Sequence, residues 1–161
     1  MDMGQIDSEK MYNIVMKWDW GNSDSDKIYH DPETRRNSIT YRTNLSRLMN
    51  QLIAEGKIDK AKNIINLAMT KMPLDKFGYY SLVEPFAGGY YKVGDTAKAQ
   101  DLLNKLVNKY REDLDYYKTL SGSDQTDLAI DIITDIERYR SLLQVMKDNK
   151  DLAFYEKHKT N

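Results

Sequence analysis

The sequence contains no cysteine and only three prolines among its 161 residues. The absence of thiols excludes disulfides, a cysteine nucleophile and thiolate metal sites. No run of about 18 apolar residues occurs, and the N-terminal letters MDMGQIDSEK lack the apolar core of a signal peptide. We therefore expect that any attachment to a membrane would require a region outside this sequence.

An excess of charge of one sign is also lacking. The chain has 24 lysines and arginines against 25 aspartates and glutamates, a formal net charge of −1. The basic surface that nucleic-acid binding requires is therefore not indicated, and we predict no nucleic-acid partner.

Apolar residues at helical spacing are what the sequence does contain. They recur every three or four positions, and no segment alternates with period two, so we predict an all-α fold of about six or seven helices. The two longest stripes are Leu103, Leu106, Val107, Tyr110, Leu114 and Tyr117, and Leu128, Ile132, Ile136, Tyr139, Leu143 and Met146.

Gly, Pro, Ser and Asp residues divide these stripes into helices. The segment WDWGNSDSDKIYHDPETRR is polar and rich in turn residues, so we expect a loop up to about residue 37. The predicted helices begin near Ser8, Ser38, Ile58, Tyr79, Asp95, Asp124 and Asp151.

Part of the sequence repeats after 38 residues. LSRLMNQLIAEGKIDKAKNIINLA begins at position 45, and VEPFAGGYYKVGDTAKAQDLLNKL begins at position 83 in the same register. Each copy has a glycine between two helical stretches, Gly56 or Gly94, and an alanine five positions later, Ala61 or Ala99. We interpret each copy as a helix pair joined by a tight turn.

Both copies resemble the tetratricopeptide pattern, in which large residues flank a small one on the first helix. In the second copy Phe86, Ala87 and Tyr90 occupy these positions, whereas in the first copy Met49 replaces the small residue. The resemblance implies a right-handed stack of antiparallel helix pairs in one domain. Residues 38–122 would form two pairs, residues 1–37 would pack on them, and residues 123–161 would cap them.

The order of several segments resembles a further family. MYNIVMKWDWGN, IYHDPETRR, RLMNQLIAEGKIDKA, MPLDKFGYYSLVEPFAGGYYKVGDTAKA and LDYYKTL follow one another over roughly residues 8–120. This succession looks like the C-terminal tetratricopeptide-like domain of a family of multi-spanning bacterial membrane proteins whose membrane part resembles protein O-mannosyltransferases. The resemblance implies a location on the periplasmic side of the inner membrane. It carries over no catalytic residue, since the family's proposed catalytic apparatus lies in the membrane part.

The glycine-rich segment PFAGGYYKVG, residues 85–94, is not a phosphate-binding loop. Its glycines are in G-G-x-x-x-x-G order with no predicted strand before them, which fits neither of the common nucleotide-binding patterns. We predict that Gly88 and Gly89 permit an unusually close packing contact, or that Pro85 kinks the helix.

A binding groove is predicted from the repeat register. Tyr91 and Lys92 fall where the first helix of such repeats faces the concave surface, and Arg47 and Asn50 come from the preceding repeat. We expect these four residues to contact a protein or peptide partner.

Trp18 and Trp20 have two interpretations. They would stack on a glycan if their rings are exposed, or they would anchor the N-terminal segment on the repeats, as Trp is mostly buried. Arg35, Arg36 and Arg42 either form a patch for an anionic partner or pair with nearby acids.

A metal site is not predicted. His30, Asp31 and Glu33 lie in the polar loop without the spacing of a ligand pair, and Asp24, Asp26 and Asp31 lack the spacing of an EF-hand. We therefore predict a protein-interaction module without catalytic residues, cofactor or metal. A glycan-binding accessory domain and a structural spacer are the alternatives.

Overall fold

The structure is a computed structural model that describes residues 4–159. All regular elements within these residues are helical, which confirms the all-α class. The elements are α1 (Ser8–Val15), α2 (Pro32–Ala54), α3 (Ile58–Lys71), α4 (Leu74–Phe77), a 3-10 turn (Tyr80–Leu82), α5 (Glu84–Lys92), α6 (Thr96–Lys118), α7 (Gly122–Asp127), α8 (Ala129–Asp148) and α9 (Leu152–Lys159).

The described residues thus form more helices than the six or seven expected, because two linkers fold into short helices. Helix α4 follows Pro73, and α7 begins after Ser121, whose hydroxyl accepts a hydrogen bond from the backbone N–H of Asp124 at 3.2 Å. Our prediction of Asp124 as the cap of the last long helix was therefore wrong, since α8 begins only at Ala129.

The long helix α2 begins six residues before the predicted start at Ser38. Asp31 caps it by accepting a hydrogen bond from the N–H of Thr34 at 2.7 Å, and Pro32 occupies the first turn. Both residues are strong signals for a helix start, and together they outweigh the polar composition of the segment.

The chain divides into two compact units, and the boundary in the sequence lies between Asp95 and Thr96. In the first unit α2 packs along α3, and both helices contact α5. Its core is built from fully buried residues of these helices: Leu45, Leu48, Met49, Leu52, Ala61, Ile64, Ile65, Ala68, Phe86 and Ala87. The sequence boundaries at residues 37 and 122 stay a prediction, since the division of the chain falls inside the second predicted repeat.

Close packing in the first unit requires a glycine in α5. A Cβ atom at Gly89 would lie 2.3 Å from Sδ of Met49 and 3.1 Å from Cδ1 of Ile65, whereas a Cβ at Gly88 would meet nothing within 4 Å. The predicted close contact is therefore present at Gly89 alone. Pro85 lies in the first turn of α5, where it interrupts no hydrogen bond of the helix interior.

The turn at the end of the first repeat helix occurs three times within residues 4–159. Gly56 and Gly94 have φ angles of +74° and +83°, and Lys150 has +61° at the end of α8. The residue after each donates its N–H to the carbonyl five positions earlier: Lys57 to Leu52 at 2.8 Å, Asp95 to Tyr90 at 2.9 Å and Asp151 to Met146 at 2.9 Å. These are Schellman turns, and the third is one that we did not predict.

In the second unit α8 packs against both α6 and α9. The buried hydroxyl of Tyr139 on α8 donates to the carbonyl oxygen of His158 on α9 at 2.7 Å. On α8 the buried positions Tyr139, Leu142 and Met146 have the same spacing as Val83, Phe86 and Tyr90. The Schellman turn at Lys150 therefore follows a helix whose buried residues have the same spacing as those of the first helix in the second repeat.

Candidate functional site

The first unit contains an open cleft of about 610 Å³ that is lined by aromatic side chains. The rings of Trp18, Trp20 and Tyr41 form a triangle on its wall. The ring centroids of the two tryptophans are 5.7 Å apart, and that of Tyr41 lies 5.4 Å from Trp18 and 5.8 Å from Trp20. Their interplanar angles of 59–72° are typical of edge-to-face aromatic contacts.

The exposure of these rings is compatible with both interpretations of the tryptophans. Trp18 and Trp20 are half-buried, so they anchor the N-terminal segment and also face the cleft. Tyr41 is 43% exposed, and Tyr29 across the loop is 82% exposed. An aromatic surface is therefore open to a ligand.

The loop that carries the tryptophans is held by hydrogen bonds to the end of α3 and to α4. The hydroxyl of Ser23 donates to the carbonyl oxygen of Lys71 at 2.6 Å, and the ammonium of Lys76 donates to the carbonyl oxygen of Asp24 at 2.7 Å. The ring of His30 donates from Nε2 to the carbonyl oxygen of Ser23 at 2.8 Å. These contacts hold one wall of the cleft in place before any ligand binds, which lowers the entropic cost of binding.

Two polar atoms next to the cleft have no hydrogen-bond partner within residues 4–159. They are Nε1 of Trp20, a donor, and Nδ1 of His30, an acceptor because Nε2 carries the proton given to Ser23. Polar groups that are buried without a partner cost free energy. Further polar side chains on the lining, Thr34 and Asn37, come from the first turns of α2.

The buried guanidinium of Arg42 lies behind the cleft wall. It donates from Nη2 to the carbonyl oxygen of Met72 at 3.0 Å and from Nη1 to that of Gly78, and its Cζ lies 5.9 Å from the ring centroid of Phe77. Burial lowers the pKa of Arg42 to about 10, so it stays charged at neutral pH. Arg42 therefore belongs neither to an anionic patch nor to an acid pair, because it ties the linker after α3 to α2.

The predicted groove residues lie on α2 and α5. Arg47 and Asn50 line a shallow hollow together with Gln5 and Ile6 of the N-terminal segment, and Tyr91 and Lys92 are not part of its lining. Tyr91 is half-buried, and Lys92 is exposed at the end of α5. Contact of these four residues with a partner stays a prediction.

The acids that we considered as metal ligands have other roles in the structure. Asp31 caps α2, Asp24 pairs with Lys71 at 3.3 Å, and Asp26 pairs with Lys76 at 2.7 Å. Hydrogen bonds lower the pKa of all three carboxyls. The main one comes from the backbone N–H of Thr34 for Asp31, from its own backbone N–H for Asp24, and from the ammonium of Lys76 for Asp26. Over residues 4–159, no three His, Cys, Asp or Glu side chains are grouped as a metal site would require.

Comparison of the chain with protein-family models, curated proteins and solved structures finds no match. None of the helices between residues 4 and 159 combines the length and the apolar character needed to cross a lipid bilayer. The resemblance to a membrane-protein family therefore stays a prediction.

Sequence reasoning found two members of the aromatic cluster and missed the third. Trp18 and Trp20 are close in sequence and rare in the chain, so they were easy to single out. Tyr41 lies within the helix predicted from Ser38, but its neighbours Thr40 and Arg42 are polar and it belongs to no predicted apolar stripe. Its ring centroid lies 5.4 Å from that of Trp18 across a contact between a loop and a helix, which no sequence spacing reports.

Proposed function

We propose that this chain is a non-catalytic binding module of helical-repeat type whose ligand is an extended peptide segment. The observation that supports the proposal is the cluster of Trp18, Trp20 and Tyr41 beside an open cleft. Rigid aromatic side chains supply a large contact area with little loss of conformational entropy, and they dominate many peptide-binding surfaces.

A proline-rich segment has the chemistry that suits this cleft. Such segments are extended before they bind, and their rings pack on aromatic side chains while their carbonyl groups accept hydrogen bonds. The hydroxyl of Tyr41 is available to donate, since it forms no hydrogen bond with any residue between 4 and 159. The cleft also has no carboxylate except Asp19 on its lining, so it favours an uncharged ligand.

A glycan is the second candidate, and one observation favours it. The polar side chains of Asn37 and Thr34 lie on the same lining as the two indole rings. A sugar needs this combination of a ring face and hydrogen-bonding groups. The same cleft would then serve a glycan-binding accessory domain.

The two tryptophans provide the test. They are the only tryptophans in the chain, and both line the cleft, so their fluorescence reports on this site alone. We expect titration with the peptide decaproline to change the emission saturably and titration with mannotriose to leave it unchanged. The reverse result would indicate that the cleft binds glycans. Unchanged fluorescence with both ligands would contradict the proposal.

Two tyrosine variants locate the site. We expect Tyr41→Ala to weaken decaproline binding by about tenfold or more, as removal of an aromatic contact at the centre of an interface does. Tyr116→Ala is the matched control, because Tyr116 is 60% exposed and lies in the second unit. If Arg47→Ala with Lys92→Ala abolishes binding while Tyr41→Ala does not, the ligand uses the groove predicted from the repeat register.

The cellular setting is part of the proposal and has the sequence resemblance as its support. We propose that the module lies on the periplasmic side of a bacterial inner membrane, as a domain of a larger glycosyltransferase-like membrane protein. The module would position a protein or peptide for the glycosyltransferase-like membrane part of that protein. The reading frame that encodes the chain tests this: many apolar spans upstream are expected, and their absence would contradict it.

A further inference from the structure

A second concave site lies within the second unit, and the proposed function does not use it. It is a groove of about 640 Å³ lined mainly by residues of α6 and α8, with Gln125 of α7 and Lys159 of α9. Its apolar lining consists of Leu114, Ile132, Ile136 and Leu143, all of them half-buried. Grooves of this size with an apolar lining and a few polar groups are typical of sites for small molecules.

Two arginines on this lining lack an acidic partner. Arg140 is exposed and forms no ion pair within residues 4–159. Arg111 donates from Nη2 to the hydroxyl of Tyr139 at 3.3 Å, and its Nε is buried with no hydrogen-bond partner in the same range. Because Arg111 lies on the groove lining with no acid between residues 4 and 159 to neutralise it, its guanidinium can bind an acceptor that a ligand would bring.

The other charged groups on the lining are already engaged. Lys118 pairs with Asp115 at 2.7 Å, and Lys159 pairs with Glu156 on its own helix. Asp115 is the only carboxylate on the lining, and Lys118 neutralises it. Among the charged side chains on the lining, only the two arginines therefore keep a positive charge without an acidic partner.

We propose that this groove binds a small amphiphile with an aliphatic chain and a single carboxylate, such as a medium-chain fatty acid. The chain would lie on the four aliphatic side chains, and the carboxylate would accept hydrogen bonds from Arg111 and Arg140. The guanidinium fork matches the two oxygens of a carboxylate. A neutral chain would leave the arginines unused, and a cationic amphiphile would be repelled.

Isoleucine methyl groups give a readout specific to this site. Addition of decanoate to protein with labelled isoleucine methyls should shift the NMR signals of Ile132 and Ile136 saturably. Ile130 and Ile133 are internal controls, because they lie on the same helix at 80% and 56% exposure and do not line the groove. Tryptophan fluorescence should not change, since neither tryptophan lines this groove. Equal shifts at all four isoleucines would indicate non-specific adsorption and overturn the proposal.

Charge variants test the role of the arginines. We expect Arg140→Gln to weaken decanoate binding about tenfold or more, as loss of a charge-assisted hydrogen bond does. Lys105→Gln removes the same charge from an exposed position on α6 outside the groove and should bind like the wild type. Decanol and decyltrimethylammonium should bind at least tenfold more weakly than decanoate. Equal affinity for decanol, or wild-type affinity of Arg140→Gln, would contradict the assignment.

Discussion

Surface carboxyls of the first unit and buried groups of the second unit have pKa values shifted for different physical reasons. In the first unit hydrogen bonds from Lys57, Ser8 and Gln51 lower the pKa of Glu55 to about 2, and hydrogen bonds from Lys60 and Lys57 lower that of Glu9. In the second unit burial raises the pKa of Asp135 and lowers the pKa of His158. Partnered surface charges stabilise the fold that holds them, whereas buried groups of the second kind reduce its stability.

The shifted pKa values of Asp135 and His158 show that the second unit keeps ionisable groups whose burial reduces its stability. Tyr117 lines the second unit's groove and donates to Asp135 at 3.3 Å, and burial raises its pKa. Arg111 lines the same groove and contributes to the lowered pKa of His158. Two residues that line the groove therefore interact with buried ionisable groups of the second unit.

The largest expected effect concerns Arg42, a strongly desolvated cation of the first unit. Its two Nη groups donate to the carbonyl groups of Met72 and Gly78. We expect Arg42→Met to lower the free energy of unfolding by about 2–5 kcal/mol, because both buried carbonyls lose their donor. Urea unfolding measures this loss.

Arg36→Ala is the matched control for this variant. Arg36 is exposed on the same helix, so its replacement should change stability by no more than about 0.5 kcal/mol. Equal stability of Arg42→Met and Arg36→Ala would show that the contacts of Arg42 do not hold the linker.

An intermediate difference in stability is expected from two variants that test the close packing of the first unit. Gly89→Ala places a methyl group against Met49 and Ile65, whereas Gly88→Ala places it in open space on the same helix. Both variants gain about 1 kcal/mol of helix propensity, and only Gly89→Ala incurs overpacking of about 1–3 kcal/mol. We expect Gly88→Ala to be the more stable by that difference in thermal or urea unfolding, and the opposite order would contradict the packing.

The smallest expected effect concerns the loss of stability at acidic pH. The pKa of folded His158 lies below the ordinary value of 6.5, so the unfolded chain binds more protons and stability falls as the pH drops below 6.5. The pKa of Glu55 is lowered from 4.5 to about 2, so its contribution is present above pH 4.5 and is lost only as the pH falls towards 2.

Unfolding midpoints measured between pH 7 and pH 5 separate the two groups. His158→Phe keeps the edge-on contact with Phe154 and should reduce the loss of stability over this range. Glu55→Gln should change the slope only below pH 4.5. A slope between pH 7 and 5 that His158→Phe leaves unaltered would show that His158 is not the group that titrates.

The sequence allowed much of the fold to be predicted, because three-and-four spacing and the 38-residue repeat are strong signals. The third Schellman turn was missed because Lys150 takes the position that Gly56 and Gly94 hold in the other two. The groove of the second unit was missed for another reason. Ile132 and Leu143 belong to a stripe that predicts core, and only the packing of α6 and α8 leaves them half-buried.

We propose the aromatic cleft of the first unit as a peptide-binding site, and titration of the tryptophan fluorescence with decaproline is the decisive experiment. It is carried out on the wild type, on Tyr41→Ala and on Tyr116→Ala. We expect saturable binding to the wild type and to Tyr116→Ala, with an affinity about tenfold or more lower for Tyr41→Ala. Unchanged fluorescence in the wild type, or equal affinities of the two variants, would rule out a peptide site in this cleft.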